Sequence, residues 1–218
     1  PVLDDFSFSF RRVKNNASLF NDPYSIYKAD PSPDMDAAWD AIGHPATLHF
    51  SADEIRRLGK DPEVAAKVPE EWGYGKDRYF GVIDGQHLIH CLNVVRKWAH
   101  YDYYWKEKWG PMSEAPPVHS AHRSHCIGVL LDTLTCQPSV NIFTYFWMDS
   151  QSAPYPDFGI YRQCQNHNDL LAWQRDRGID ENLIDNAEIP RPADAKVQPD
   201  SPQLEKLKGW VWNGSFPA

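Results

Sequence analysis

The stretch His87-Leu-Ile-His90-Cys91 returns downstream as His122-Arg-Ser-His125-Cys126. Both copies read H-x-x-H-C. On an α-helix, positions i, i+3 and i+4 share one face. His87, His90 and Cys91 therefore point one way, and so do His122, His125 and Cys126. Apolar residues continue both patterns: Val94, Val95 and Trp98 after the first, Val129, Leu130 and Leu134 after the second. Two such helices packed face to face bring four imidazoles together. Neutral imidazole binds zinc, copper, iron and nickel. The doubled motif thus predicts a metal site held by His87, His90, His122 and His125.

The spacing of three, without an acidic neighbour, does not match the H-E-x-x-H helix of a zinc protease. A closed structural zinc site fills four positions, whereas two histidines per helix leave positions open. His119 lies three residues before His122 and would extend the ligand face by one turn. Read otherwise, it is a loop histidine beside Pro116-Pro117, and that reading is favoured. His100 falls off the face of His87 and His90, and His167 reads as structural.

The cysteines are Cys91, Cys126, Cys136 and Cys164. Cys126 and Cys136 fall on one predicted helix, roughly 15 Å apart along its axis. That exceeds the ~7 Å between Cα atoms that a disulfide spans. Two full pairings survive: Cys91–Cys126 with Cys136–Cys164, or Cys91–Cys136 with Cys126–Cys164. Helical phase favours the first. The rival reading makes Cys91 and Cys126 thiolate ligands, which favours zinc or Cu(I). Asn16-Ala-Ser18 and Asn213-Gly-Ser215 are N-glycosylation sequons. With an even cysteine count they point to an oxidising compartment.

Outward from the motifs, the rest of the 218 residues reads as one loop-rich domain. Apolar residues are 42%, aromatics 13%, and 18 are proline, a composition that argues against disorder. The net charge of −8 argues against nucleic-acid binding, which needs a basic face. No apolar run reaches the ~18 residues of a membrane span. Residues 1–34 form an N-terminal arm with Phe6, Phe8 and Phe10 in alternation, a short strand or extended piece. Short helices are predicted over Asp34–Gly43, from Asp53 to near Gly59 behind the capping box Ser51-Ala-Asp-Glu54, and over Asp61–Val68. Longer helical patterns cover 78–109 and 120–136, and a further helix covers Asn168–Arg177. Val140–Met148 is β-branched and aromatic, a strand with Tyr145 and Trp147 in the core. Residues 185–218 wrap the surface and end in Trp210 and Trp212. The expected fold is mainly α with short strands, an α+β, loop-rich class with the two motif helices central.

The motifs and their surroundings resemble the UstYa-like fungal proteins. The resemblance rests on His87-Leu-Ile-His-Cys-Leu-Asn-Val-Val-Arg-Lys97 and on His122-Arg-Ser-His-Cys126 followed by Cys136. Ala38-Trp39-Asp40 and Cys164-Gln-Asn-His-Asn-Asp-Leu-Leu-Ala-Trp173 add to it. It implies copper, as two ions, held by His87, His90, His122 and His125, with O2 as co-substrate. It implies oxidative C–H functionalisation of a peptide or polyketide natural product: hydroxylation, dehydrogenation, cyclisation or halogenation. It also implies a lumenal domain behind an N-terminal transmembrane anchor, which fits a chain that opens on Pro1. Two positions depart from the family pattern. Gly128 replaces an acidic residue, which bears on the surroundings of His125, and Val95 replaces Leu.

Trp98, Tyr101, Tyr103, Tyr104, Trp105 and Trp109 are candidates to line a substrate pocket, or else ordinary core and rim. Asp102 and Glu107 read as solvated charges. The expected partners are a small-molecule or peptide substrate and a homo- or hetero-dimer mate. The alternative function is a non-catalytic, metal-stabilised scaffold. A zinc hydrolase ranks below both, because no general base stands beside the histidine pairs.

Overall fold

Ser32 caps the first long helix by accepting a hydrogen bond from the Met35 amide at 3.2 Å. Pro33 opens it, and Asp34 and Asp36 sit in its first turn, all favourable at a helix N-terminus. This helix, α2 (Pro33–Gly43), is one part of a computed structural model that describes residues 1–15, 25–186 and 189–206. In chain order the other helices are α1 (Val2–Asp5), α3 (Ala52–Arg57), α4 (Asp84–Ala99), α5 (Tyr101–Tyr104), α6 (Lys106–Trp109), α7 (Pro117–Cys136), α8 (His167–Arg177), α9 (Glu181–Asn186) and α10 (Pro202–Lys206). The strands are β1 (Phe10–Lys14), β2 (Leu48–Ser51), β3 (Arg78–Gly81), β4 (Thr144–Phe146), β5 (Tyr155–Asp157) and β6 (Tyr161–Gln165). They pair as antiparallel two-stranded ribbons, β1 with β6, β2 with β3 and β4 with β5. The fold is the mixed α+β, loop-rich class that the sequence leads one to expect.

α4 and α7 pack along each other, and α2 packs on another side of α4. Gly43 makes the second contact close. A Cβ there would stand 2.7 Å from Ile89 Cγ2, so a larger residue would push α2 off α4. Asp84 at the start of α4 and Arg96 and Lys97 at its end complement its dipole. Between α4 and α7 lies a core of Cys91, Val94, Trp98, Tyr101, Ala115 and Cys126, with Trp105, Trp109 and Leu130 against it. Burying each large apolar side chain contributes about 1.5–3 kcal/mol.

A second core joins Leu48, Phe50, Ile55 and Tyr79 under β2, α3 and β3. Ser51 ends β2 and caps α3. Its hydroxyl accepts from the Glu54 amide, and its own amide donates to Glu54 Oε2 at 2.7 Å. Arg177 of α8 locks this unit to the N-terminus through Glu54 and Asp5.

Several expectations change. Asp61–Val68 is not a helix. The Val68 amide bonds to the Arg78 carbonyl and the Phe80 amide to the Ala66 carbonyl, so this stretch runs beside β3 instead. The 78–109 pattern breaks into β3, α4, α5 and α6, because His100 and Trp105 leave helical geometry. The strand in Val140–Met148 shrinks to β4. Tyr145 and Trp147 are exposed rather than core, at 62% and 74%, since among the described residues only β5 pairs with β4. Phe6 and Phe8 precede β1 and meet edge to face at 4.8 Å. Both sequons' asparagines, Asn16 and Asn213, and Trp210 and Trp212 lie outside the described residues.

Candidate metal centre

Helical phase does what the spacing requires. On α4, His87 and His90 stack along the axis with ring centroids 6.3 Å apart; on α7, His122 and His125 do the same at 6.3 Å. Across the interface His87 faces His125 at 5.6 Å and His90 faces His122 at 5.6 Å. The four rings form a closed rectangle between antiparallel partners. Ligand atoms of His87, Cys91 and His125 all lie within 4.8 Å of one another, and Cys91 Sγ is 3.6 Å from His87 Nε2.

The rectangle has a wet and a dry end. His125 is exposed and His87 half-buried. His122 Nε2 is buried with no hydrogen-bond partner among the described residues. Burial, then the neighbouring His90 and His125, pulls the His122 pKa down to about 4; burial also lowers that of His90. Both rings are therefore neutral at physiological pH, the form in which imidazole donates to a metal. Cys91 and Cys126 are completely buried behind the histidines, and burial raises both thiol pKa values. A buried donor nitrogen without a partner is costly, and a metal ion removes that cost. Neutral nitrogen donors with sulfur beside them fit copper or zinc.

All four cysteines are free thiols in this structure. Cys91 and Cys126 do meet across the helix interface and share a side-chain hydrogen bond, as the favoured pairing expects of its first pair. The bridges Cys91–Cys126 and Cys136–Cys164 are not formed. His119 does not extend the rectangle. Its ring packs on Trp109 at 4.3 Å and Trp105 at 6.2 Å. His167 is structural, with its Nε2 2.8 Å from Gln86 Nε2. At Gly128 a Cβ would meet nothing within 4 Å, so the departure from an acidic residue costs α7 no packing.

The motif pattern gave no sign of the network that fixes α4. Arg96 reaches Asp36 Oδ1 at 2.6 Å, the Tyr104 hydroxyl at 2.6 Å and, through Nε, Asn93 Oδ1 at 2.8 Å. Tyr104 in turn donates to Asp36 Oδ1 at 2.7 Å. Burial and the Asp36 carboxylate push the Tyr104 pKa up to about 12. Only the Asn93–Arg96 spacing, three residues on one helix, offered a local signal. The candidate lining residues divide accordingly: Trp98 and Tyr101 are core, Tyr103 is exposed, and Tyr104 belongs to this network. Asp102 pairs with Lys106 on the surface, as expected of a solvated charge.

Residues 1–177 match the family model described as "Mycotoxin biosynthesis protein UstYa". The chain belongs to the UstYa family. Among curated UstYa relatives, it is 32% identical to "UstYa family oxidase aprY" of Aspergillus flavus, over 91% of this chain and 60% of that protein. It is 25% identical to "UstYa family oxidase phomYc" of Diaporthe leptostromiformis, over 79% of this chain and 66% of the relative. It is 27% identical to "Chlorinase cctP2" of Talaromyces islandicus, over 66% and 41%. The chain spans about 60% of the length of the first of these relatives. No solved structure matches.

Proposed function

We propose that this UstYa-family chain is a copper-dependent oxidoreductase that functionalises a C–H bond of a peptide or polyketide natural product in fungal secondary metabolism. The observation that carries the reading is the rectangle of four imidazoles, two per helix, with one end open to solvent. Relatives named as oxidases and as a chlorinase agree with oxidation or halogenation as its outcome. His87 and His90 from α4 and His122 and His125 from α7 would hold copper, as one pair or two ions. Cys91 stands within reach of the His87–His125 end. Copper bound there supplies one-electron chemistry with O2, enough to break a C–H bond.

The chain's own residues supply position and exclusion. The half-buried His90 and His122, whose Nε2 atoms are shielded from solvent, keep water from the inner end, while His125 leaves the outer end open to O2 and substrate. Cys91, Val94, Trp98 and Cys126 fix the distance between the helices from behind. Arg96, Asp36 and Tyr104 fix the orientation of α4. In the same reading the domain works in the secretory lumen, tethered by a helix outside this sequence. Among the described residues no helix is long and apolar enough to cross a membrane.

The test is metal analysis of protein purified without a histidine tag, followed by O2 uptake with added reductant. Copper bound at the histidines with reductant-dependent uptake supports the proposal. Zinc at full occupancy, without response to copper, would sink it and favour the metal-stabilised scaffold.

A further inference from the structure

His119 was a candidate ligand, and the structure gives it other company. It begins an unbroken row of rings that leads away from the histidine rectangle. His119 sits one helical turn before His122 on α7 and meets Trp109 at 4.3 Å. Trp109 stacks on Trp105 at 4.5 Å and 7° from parallel. Trp105 meets Tyr104 at 6.2 Å, and Tyr104 meets Tyr103 at 4.8 Å. Tyr103 is 55% exposed. Every step lies at or just inside the spacing of rings in contact.

The row also has chemical direction. The indole N–H of Trp105 is buried with no acceptor among the described residues, so an oxidised Trp105 has no neighbour there to take its proton. Tyr104 differs, because its hydroxyl donates to the Asp36 carboxylate at 2.7 Å. Arg96 pairs with the same carboxylate oxygen and holds Asp36 in place. Electron tunnelling falls off exponentially with distance, so several short hops outrun one long jump.

We propose that His119, Trp109, Trp105, Tyr104 and Tyr103 form a hole-transfer relay that drains oxidising equivalents from the four-histidine site to the protein surface. The inference rests on the copper reading for the source of those equivalents, an oxidised copper ion. Its central step involves protein groups alone. One electron passes from the Tyr104 phenol to the Trp105 radical cation, and the phenolic proton passes to Asp36. The products are neutral Trp105, the Tyr104 phenoxyl radical and the protonated Asp36 carboxyl. Tyr103 then gives one electron to that radical and its phenolic proton to water, Asp36 returns its proton to Tyr104, and a soluble one-electron reductant such as ascorbate restores the exposed Tyr103. Such a path protects the histidines when oxidant forms without a substrate to consume it.

Two measurements test it. In the first, copper-loaded protein receives ascorbate and hydrogen peroxide without substrate, and oxidised residues are mapped by peptide mass spectrometry. Oxidation is expected at Tyr103, and at the half-buried Tyr104 and Trp105, ahead of exposed rings off the row such as Tyr161. Trp105→Phe should move it back to His119 and the site histidines. Labelling of Tyr103 and Tyr104 that is unchanged in Trp105→Phe overturns the relay.

The second measurement needs no metal. Azidyl radicals generated by pulse radiolysis oxidise tryptophans of the metal-free protein, and indolyl absorbance then converts to phenoxyl absorbance. A fast phase independent of protein concentration is expected, lost in Tyr104→Phe and slowed several-fold in Asp36→Asn, which keeps the phenol. A fast phase unaltered in both variants overturns the relay. If copper fails to bind while the fast phase is present and lost in Tyr104→Phe, the copper reading fails and the relay stands.

Discussion

α4 and α7 carry the same five-residue motif, yet the protein treats them differently. α4 is held on two sides. α7 covers its histidine face, and α2 closes in where Gly43 meets Ile89 and where Arg96 grips Asp36. Among the described residues, α7 has one packed face. Ile127, Leu131 and Leu134, spaced i, i+4, i+7 along its back, are 50%, 59% and 71% exposed. Half of the site therefore stands on a fixed helix and half on a helix whose position depends on the shared face. A ligand that joins the two halves stabilises α7 more than α4, because α4 has other partners.

Removing a donor should have the largest effect. His87→Ala on α4 and His122→Ala on α7 should each abolish copper-dependent O2 uptake while circular dichroism stays unchanged. Retained uptake in either would count against a site shared by both helices. Next comes the brace on α4. Arg96→Met strips the charged partner from a mostly buried carboxylate, leaving it the Tyr104 hydroxyl, and should cost about 2–3 kcal/mol in urea unfolding, less than a fully buried pair. The matching change on the back of α7, Leu131→Gln, should stay within ~0.5 kcal/mol. Equal losses would mean that α7 has a covering partner in solution.

Acid should expose the dry end of the rectangle. His90 and His122 hold their pKa values below the ordinary value, His122 at about 4, whereas an unfolded histidine titrates near ~6.5. In metal-free protein the unfolded state therefore takes up protons first. Stability is full above pH ~6.5 and falls as the pH drops toward about 4, where the slope ends. His122→Gln should flatten that slope, read as urea midpoints against pH. The smallest effect belongs to Gly128→Ala. Glycine inside a helix costs up to ~1 kcal/mol relative to alanine, and the new methyl meets nothing. It should stabilise α7 slightly and leave metal content unchanged.

The site was legible because it is written in helical phase, a local rule. Once His87, His90 and Cys91 share a face, only the meeting with the second copy remains, and the apolar continuations Val94 and Trp98 supply it. The start of α3 was legible for the same reason; Ser51 and Glu54 sit three residues apart. What was misread depends on distant partners. Asp61–Val68 has helical composition, but β3 offers its backbone hydrogen bonds across the chain. Tyr145 and Trp147 look like core residues and lack a covering element among the described residues. His119 shares a face with His122, and only the arrival of α6 shows that tryptophans, rather than the other histidines, receive its ring. The Asp36–Arg96–Tyr104 network spans three helices, α2, α4 and α5, and no periodicity announces it.

The Trp105–Trp109 stack has an optical consequence. Two indoles 4.5 Å apart and nearly parallel couple their excited states. The protein's circular dichroism therefore contains an exciton contribution from α6 on top of the helical peptide signal. A small sliding of one indole over the other changes that contribution sharply, while helix content stays constant. The stack packs against the core that holds Cys126, so it is a label-free reporter of movement between α6 and the motif helices.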